Sequence, residues 1–360
     1  MDIKTYLVTG GAGFIGSNYI EHMLLKYGNT IRIINYDALT YAGNLENLKA
    51  IDGMANYGFV KGDVCDKGLL QQIFGENDID YVIHFAAESH VDRSITDPET
   101  FVRTNVLGTA TLLNIAKAAW QEGDGFISGK KYVQVSTDEV YGALGETGYF
   151  TETTPLDAHS PYSASKASAD LLVKSYYDTY GMPVNITRCS NNYGPYQFPE
   201  KLIPLMINNA LHGVNLPVYG QGLNVRDWLY VDDHTKAIDL VTQGGKPGEV
   251  YNIGGHNEKT NISIVRLIIE TLQKLLPDSD PRKKNVTEEL ITFVQDRKGH
   301  DLRYAIDPQK IGDDLGWAPE TMFDEGIVKT IQWYLHNSDW LQHVTSGDYA
   351  KYYKQMYGNR

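Results

Sequence analysis

The sequence predicts an α/β fold: a doubly wound parallel sheet, with a smaller substrate domain interleaved towards the C-terminus. Three observations carry this prediction. Short apolar runs of strand length alternate with amphipathic stretches through the first half of the chain, the order that builds parallel βαβ units. A glycine-rich turn joins the first run to the first helix. Each later run ends in a small or polar residue, and in an open parallel sheet such ends converge on one crevice where ligands bind.

Tyr6-Leu7-Val8 is the first strand, and it leads into Thr9-Gly10-Gly11-Ala12-Gly13-Phe14-Ile15-Gly16 and a helix to about Tyr27. Glycine at Gly10, Gly13 and Gly16 lets the backbone turn tightly and approach a pyrophosphate, whose charge meets the N–H groups and positive end of the helix. The Gly-x-x-Gly-x-x-Gly spacing departs from the usual Gly-x-Gly-x-x-Gly, so its context carries the argument. A second strand, Ile31 to Tyr36, ends at Asp37, about 20 residues past the turn, where a carboxylate accepts hydrogen bonds from an adenosine ribose and repels a 2'-phosphate. NAD rather than NADP is the expected cofactor.

The pattern then repeats. Strand Tyr57 to Val60 is followed by Gly62-Asp63, and a helix runs from about Asp66 to Phe74. Strand Tyr81 to Phe85 ends at Ala86-Ala87-Glu88-Ser89, a single helix is expected from about Pro98 to Trp120, and strand Tyr132 to Ser136 follows. Asp63 reads equally as a contact to an adenine amino group or as a turn former. Ala86 and Ala87 leave room for a flat ring or a ribose. Thr104 and Asn105 lie in the helix behind the crevice, where the Asn holds either water or backbone.

Chemistry concentrates between Tyr132 and Lys166. The strand delivers Thr137, Asp138 and Glu139 at its C-terminal end, and the next helix carries Tyr162 and Lys166, whose spacing puts them on one face. An ammonium one turn from a phenol favours phenolate, which would bring the tyrosine nearer to working pH as a general base requires. Neighbouring carboxylates in a closed site disfavour double ionisation, leaving one as acid and the other as base. Consecutive strand residues point to opposite faces, so Asp138 and Glu139 can meet one substrate only if the strand breaks near Thr137.

After the helix to about Tyr180 and strand Val184 to Arg188, the pattern loosens. Asn191 to Pro195 predicts a loop, Leu202 to His212 a helix, Val218-Tyr219 and Val225 to Val231 strands, and Asp232 to Thr242 a helix. Val250 to Ile253 predicts a strand returning to the main sheet, followed by a helix from about Ile262 to Leu276, strand Ile291 to Val294 and a helix around Phe323 to Tyr334. The expected division is a cofactor domain over 1–190 and a mainly substrate-binding domain over 191–340, of which 230–262 partly returns to the first. A Tyr-rich tail over 341–360 packs on the surface or on the site.

Composition excludes several classes. With 42% hydrophobic and 21% charged residues in 360, the chain is ordinary globular protein with a large core. A formal net charge of -13 repels phosphate backbones, so no nucleic-acid partner is expected; the one short basic run, Arg282-Lys283-Lys284, reads as a solvated loop. Cys65 and Cys189 are the two cysteines; they lack metal-ligand spacing, so no metal site is expected, and they fit a reducing cytoplasm. No stretch approaches the roughly 18 apolar residues of a membrane span, so no membrane partner is expected.

The glycine turn, Asp37, Asn105 and Tyr162-x-x-x-Lys166 resemble the extended short-chain dehydrogenases/reductases, over nearly the whole chain. More narrowly, Tyr36-Asp37-Ala38-Leu39-Thr40-Tyr41-Ala42-Gly43-Asn44-Leu45, Ala86-Ala87-Glu88-Ser89-His90-Val91-Asp92-Arg93-Ser94 and Ser136-Thr137-Asp138-Glu139-Val140-Tyr141-Gly142 resemble the dTDP-glucose 4,6-dehydratase family. The resemblance implies a Rossmann cofactor domain and a lyase that uses NAD as an internal shuttle on dTDP-glucose. Tyr162, helped by Lys166 and Thr137, would take the proton of the sugar 4-OH. Glu139 would remove the C5 proton and Asp138 would protonate the departing 6-OH, giving a 4-keto-6-deoxy sugar.

The same resemblance adds Phe14, Ile15, Leu39, Thr40, Val64, Phe85 and Asn192 to the cofactor contacts. It implies nucleotide-sugar contacts from Ser89, Asn191, Lys201, Leu202, Pro217, Tyr219, Arg226, Asn261, Asp296 and His300, with Arg226 and His300 as donors to the diphosphate. It further implies a homodimer that pairs the helix after Lys166 with the helix before Trp120. Two alternatives stand beside this reading: another NAD-dependent nucleotide-sugar epimerase or 4,6-dehydratase, and a non-catalytic NAD-sensing scaffold.

Overall fold

The computed structural model describes residues 3–296 and 299–346; Arg297, Lys298 and most of the Tyr-rich tail lie outside the described residues. The first half runs β1 (Lys4–Thr9), α1 (Phe14–Tyr27), β2 (Ile31–Asp37), β3 (Tyr57–Lys61), α2 (Lys67–Glu76) and β4 (Tyr81–His84). Then come α3 (Val91–Thr96), α4 (Pro98–Phe101), a π-helical stretch over Val102–Gly108, α5 (Thr109–Trp120) and a small hairpin of β5 (Gln121–Glu122) with β6 (Gly125–Phe126). β7 (Lys131–Thr137), α6 (Pro161–Tyr180) and β8 (Val184–Cys189) complete this part.

The second half contributes β9 (Asn191–Tyr193), α7 (Leu202–His212), β10 (Leu216–Tyr219), β11 (Val225–Tyr230), α8 (Val231–Gly244) and β12 (Val250–Ile253). It ends with β13 (Glu258–Thr260), α9 (Asn261–Leu275), β14 (Ile291–Val294), α10 (Gln309–Leu315), α11 (Phe323–His336) and α12 (Ser338–Val344). The main sheet has seven parallel strands in the order β12-β8-β7-β4-β1-β2-β3. Register brings the strand ends level: Thr9 stands beside Tyr36 and His84, and Thr137 beside Cys189.

Strand residues alternate between two buried faces, as a doubly covered parallel sheet requires. Tyr6, Val8, Ile33 and Val133 pack with Ile20 and Met23 of α1 and Ile238 and Val241 of α8. Leu7, Ile34, Val82 and Tyr132 face Leu70 of α2, Leu112 of α5 and Val173 of α6. A separate core lies among α7, α9 and α11, beside a three-stranded sheet β13-β11-β9 and the pair β10-β14.

The expected return of Val250–Ile253 to the main sheet is present, on the edge beside β8. Two expectations are corrected. Asn191–Tyr193 is a strand, not a loop: β11 pairs with it through Trp228, Leu229 and Tyr230, and the fully buried Tyr193 ring anchors it, so tertiary packing overrides a turn-rich composition. The single helix expected over 98–120 is interrupted by the π stretch, an interruption that often marks functional sites. Helices α3, α10 and α12 were not anticipated either.

Candidate active site

Local sequence sets the start of α6. Ser160 and Ser163 form a reciprocal capping box, Pro161 occupies the first turn and Gly181 ends the helix at φ 70°, as helix termini favour. Tyr162 is thereby fixed in the first turn, buried against Val91 and Phe101. One turn on, buried Lys166 donates through Nζ to the carbonyl of Val135 at 2.8 Å.

β7 ends at Thr137 and the chain turns at once into a 3-10 helix over Asp138–Tyr141, capped by the Thr137 hydroxyl, which accepts from the Glu139 N–H at 3.3 Å. This is the break that adjacent carboxylates need in order to share a site. Thr137, Asp138, Glu139, Tyr162 and Lys166 all line one cleft of about 410 Å³, together with Gly10, Gly13, Gly16 and Asp37.

Burial dominates the electrostatics. It drives the Asp138 carboxyl well above the usual carboxylate range, the charges of Glu139 and Asp227 push the same way, and Arg226 and the Thr137 hydroxyl work against them. The Tyr162 phenol is likewise raised by burial and then by Glu139, while Thr137 draws it back. Lys166 is lowered by burial, against an opposing pull from Asp170. The sequence expects the Lys166 ammonium to bring the phenol nearer to working pH, and burial pulls the other way.

The glycine turn is built by close approach. Gly10 has φ 72°, and a Cβ there would lie 2.6 Å from the Ala86 nitrogen; a Cβ at Gly16 would meet the Gly10 oxygen at 2.3 Å. Asp37, buried on the cleft wall, accepts from the Ala12 N–H at 2.9 Å and from the Leu39 N–H at 2.7 Å. It therefore braces the turn as well as facing the crevice. Leu39 itself has φ 52° and contributes its backbone rather than a place on the wall.

Phe14, Ile15, Thr40, Val64, Phe85, Ala86, Ala87, Thr104 and Asn192 line the same cleft. Asp63 is on the wall too, and its carboxylate caps the Cys65 N–H at 2.8 Å and pairs with Arg103 at 2.8 Å, the geometry of a turn former. Asn105 holds backbone: its amide exchanges hydrogen bonds with the N–H and carbonyl of Glu88 at 2.8 and 3.0 Å and donates to Ser165 Oγ at 2.8 Å. It thus ties the loop after β4 to α6.

Several buried oxygens on cleft residues have no protein partner: Ser136 Oγ, Asp138 Oδ2, Ser190 Oγ and Asn191 Oδ1. Such atoms call for a ligand or water. With a turn that closes only around glycine, an acidic second-strand end and these polar atoms, the residues fit a nicotinamide dinucleotide. Among the described residues no group of three His, Cys, Asp or Glu is placed to hold a metal, and no helix is long and apolar enough to cross a membrane.

Of the expected substrate contacts, Ser89, Asn191 and Lys201 reach the cleft wall, with Lys201 Nζ donating to the Ser89 carbonyl at 2.9 Å. Tyr219 donates to Asp92 at 3.1 Å and meets the His300 ring edge-on at 6.1 Å, and His300 Nδ1 lies 2.6 Å from Asp296. The Arg226 guanidinium donates to the carbonyls of Val225, Asp301 and Leu302 and stands 4.2 Å over the Tyr304 ring. Leu202 opens α7, Pro217 lies in β10 and Asn261 opens α9. These last seven groups are not on the cleft wall. Sequence reasoning gave no role to Ser136, Ser190 or Glu200; Glu200 is buried on the wall and paired with Arg93 at 3.2 Å, and nothing in its apolar-polar pattern signals this.

The GDP-mannose 4,6 dehydratase family description matches residues 7–330. A dTDP-glucose 4,6-dehydratase of Xanthomonas campestris pv. campestris (strain B100) is 52% identical over 96% of this chain and 97% of its own length. One from Neisseria meningitidis serogroup B is 51% identical over 96% and 98%. Among solved structures, a dTDP-glucose 4,6-dehydratase from Bacillus anthracis in complex with NAD is similar at TM-score 0.84 and 51% identity, over 95% of this chain and 99% of that one. A UDP-glucose 4-epimerase from Thermotoga maritima is similar at TM-score 0.80 and 28% identity, over 93% and 99%. With half of its residues shared across nearly the full length of such relatives, and with the glycine turn and the Tyr162–Lys166 helix on one cleft, the chain belongs to the dTDP-glucose 4,6-dehydratase family of extended short-chain dehydrogenases/reductases.

Proposed function

We propose that the chain converts dTDP-glucose to dTDP-4-keto-6-deoxyglucose. The observation that carries this reading is the carboxyl pair Asp138 and Glu139, placed by the strand break in the cleft that holds Tyr162 and Lys166. Oxidising an alcohol needs only the Tyr and Lys. The carboxyl pair is surplus to it and has the chemistry to expel water. Names of relatives at about half identity over the whole chain support the same substrate.

Gly10, Gly13, Gly16 and the start of α1 would hold the pyrophosphate of NAD, and Asp37 its adenosine ribose. When bound, NAD supplies a two-electron acceptor for C4 and returns the electrons at C6. Tyr162 takes the 4-OH proton, with Thr137 orienting it and the Lys166 ammonium offsetting the phenolate charge. The 4-keto group then acidifies C5–H. Glu139 removes that proton, and Asp138, whose neutral form burial and Glu139 favour, delivers its own to the departing 6-OH. Arg226 and His300 would donate to the diphosphate, and Ser89, Asn191, Lys201, Leu202, Pro217, Tyr219, Asn261 and Asp296 would contact the rest of the nucleotide sugar.

The division into a cofactor domain over 1–190 and a mainly substrate-binding domain over 191–340 belongs to this proposal, as does a cytoplasmic location. So does a homodimer through α5 and α6: Val102 and Leu107 in the π stretch and Leu171 on α6 are exposed apolar side chains. An epimerase reading is weaker because it leaves the carboxyl pair without work, and a non-catalytic scaffold leaves the whole proton-transfer set without work. The test is dTDP-glucose deuterated at C4, turned over in ordinary water. Deuterium at C6 with a solvent proton at C5 is expected; label lost to solvent, or free reduced cofactor in step with product, would overturn the shuttle.

A further inference from the structure

The peptide of Ala12, in the middle of the glycine turn, is gripped from both sides. Its N–H donates to Asp37 at 2.9 Å. Its carbonyl accepts from the Asn44 N–H and from Asn47 Nδ2, each at 3.0 Å. Asn47 Oδ1 in turn accepts from the indole N–H of Trp340 at 2.8 Å. Asn47 and Trp340 are buried, although 293 positions separate them in sequence.

A buried primary amide has a donor end and an acceptor end and can be inserted either way round. An indole only donates. A carbonyl only accepts, so the Ala12 oxygen calls for Nδ2 as Trp340 calls for Oδ1, and the two contacts fix one orientation together. Trp340 is itself wedged among Trp333 at 5.1 Å, Tyr196 at 6.1 Å and Tyr334 at 6.1 Å, and α12 is further tied to the 3-10 turn over Leu45–Leu48, which carries Asn47, by His343 and Glu46 at 2.9 Å.

We infer that Trp340, acting through Asn47, is a positioning residue for the cofactor: the C-terminal helix latches the glycine turn in its phosphate-binding shape. This rests on the reading of that turn as the NAD site. Without the indole, Asn47 Oδ1 is left buried without its donor, and the amide that supports the Ala12 carbonyl is no longer held from behind.

The experiment uses the full chain and reads the release of NAD rather than turnover. Bound NAD is quantified in the protein as purified, and its exchange for isotope-labelled NAD is followed for native protein, Trp340→Phe, Asn47→Ala, the double variant and Trp333→Phe, with thermal midpoints for all. Trp340→Phe and Asn47→Ala should each release NAD about tenfold faster, the size expected when a buried hydrogen-bonding group loses its partner. The double variant should be no faster than the worse single one, because the two act in series. Trp333→Phe loosens the same aromatic cluster while keeping the indole of Trp340, and should lower the thermal midpoint without changing release. Release within twofold of native in Trp340→Phe or, should that variant not fold, in Asn47→Ala would overturn the latch, as would single effects that multiply in the double variant. Native protein that neither carries nor takes up NAD would instead overturn the cofactor reading, and the latch with it.

Discussion

Asp138→Asn should separate what the buried carboxyl does for catalysis from what it costs the fold. Its Oδ1 accepts from the Thr137 hydroxyl at 3.2 Å, a bond that an amide oxygen keeps, so the substitution changes little but the acidic proton. General acid help is worth about 10²- to 10⁴-fold, or roughly 3 to 5 kcal/mol of barrier. Loss of water should slow by that factor, while oxidation at C4 persists and shows as reduced nicotinamide in the near ultraviolet. Stability should move the other way. In the unfolded chain an aspartate titrates near about 4, whereas in the fold burial, Glu139 and Asp227 hold Asp138 well above that. Below the unfolded value both states keep the proton and the group's contribution is complete. As pH rises towards the folded value, the unfolded chain gives up its proton first, and stability falls by about 1.4 kcal/mol per pH unit. Asparagine lacks that slope, so at neutral pH the variant should melt no lower than native and with a flatter dependence on pH above about 4. Dehydration slowed less than tenfold, or a variant that melts lower at pH 7 than native, would refute the reasoning.

Other outcomes follow from the same geometry. Glu139→Gln should suppress exchange of the C5 proton with solvent, read by NMR of substrate in deuterated water; unchanged exchange removes Glu139 as the base. Native protein should prefer NAD strongly over NADP in equilibrium binding, because Asp37 presents a carboxylate on the cleft wall; equal affinities would leave Asp37 only its bracing role at Ala12. Asn105→Ala should cost about 1 to 3 kcal/mol in denaturant unfolding, since the part-buried Glu88 N–H and the buried Ser165 Oγ both lose the Asn105 amide; a smaller loss would mean that water replaces the amide. Leu171→Glu should shift the protein towards monomer in sedimentation if α6 forms the dimer face, and an unchanged mass would redirect the search for that face.

The sheet was legible because its signals are local: apolar runs of strand length, a glycine turn between the first strand and helix, and polar residues where strands stop. The strand break at Thr137 was legible for a stereochemical reason, since two consecutive carboxylates cannot otherwise share a substrate. What escaped was set by partners distant in sequence. Asn191–Tyr193 became a strand because β11 lies beside it, and Glu200 became buried because Arg93 stands over a hundred positions away. The pull of burial on the Tyr162 phenol was not legible, because helical spacing announces Lys166 while burial has no signature in spacing. Asp37 was read for its ligand role alone because its two backbone donors are invisible in a list of side chains.

The π-helical stretch over Val102–Gly108 works as a change of phase. Before it, Phe101 is aligned with the cleft and meets the Tyr162 ring edge-on at 6.3 Å; after it, Leu112, Leu113, Ala116 and Trp120 are aligned with the sheet. A π turn accommodates an additional residue relative to an α turn, and each α-helical residue rotates the chain by about 100°. Taking out one residue of the stretch would let it close to α-helix without turning its flanks, whereas the same deletion within α5 would swing Phe101 by about 100° relative to Trp120. Single substitutions at the exposed Val102 and Leu107 would report little of this, and one at buried Asn105 would report its hydrogen bonds instead. What the stretch holds is a spare residue, which makes it a place in this helix where a change of length can be absorbed.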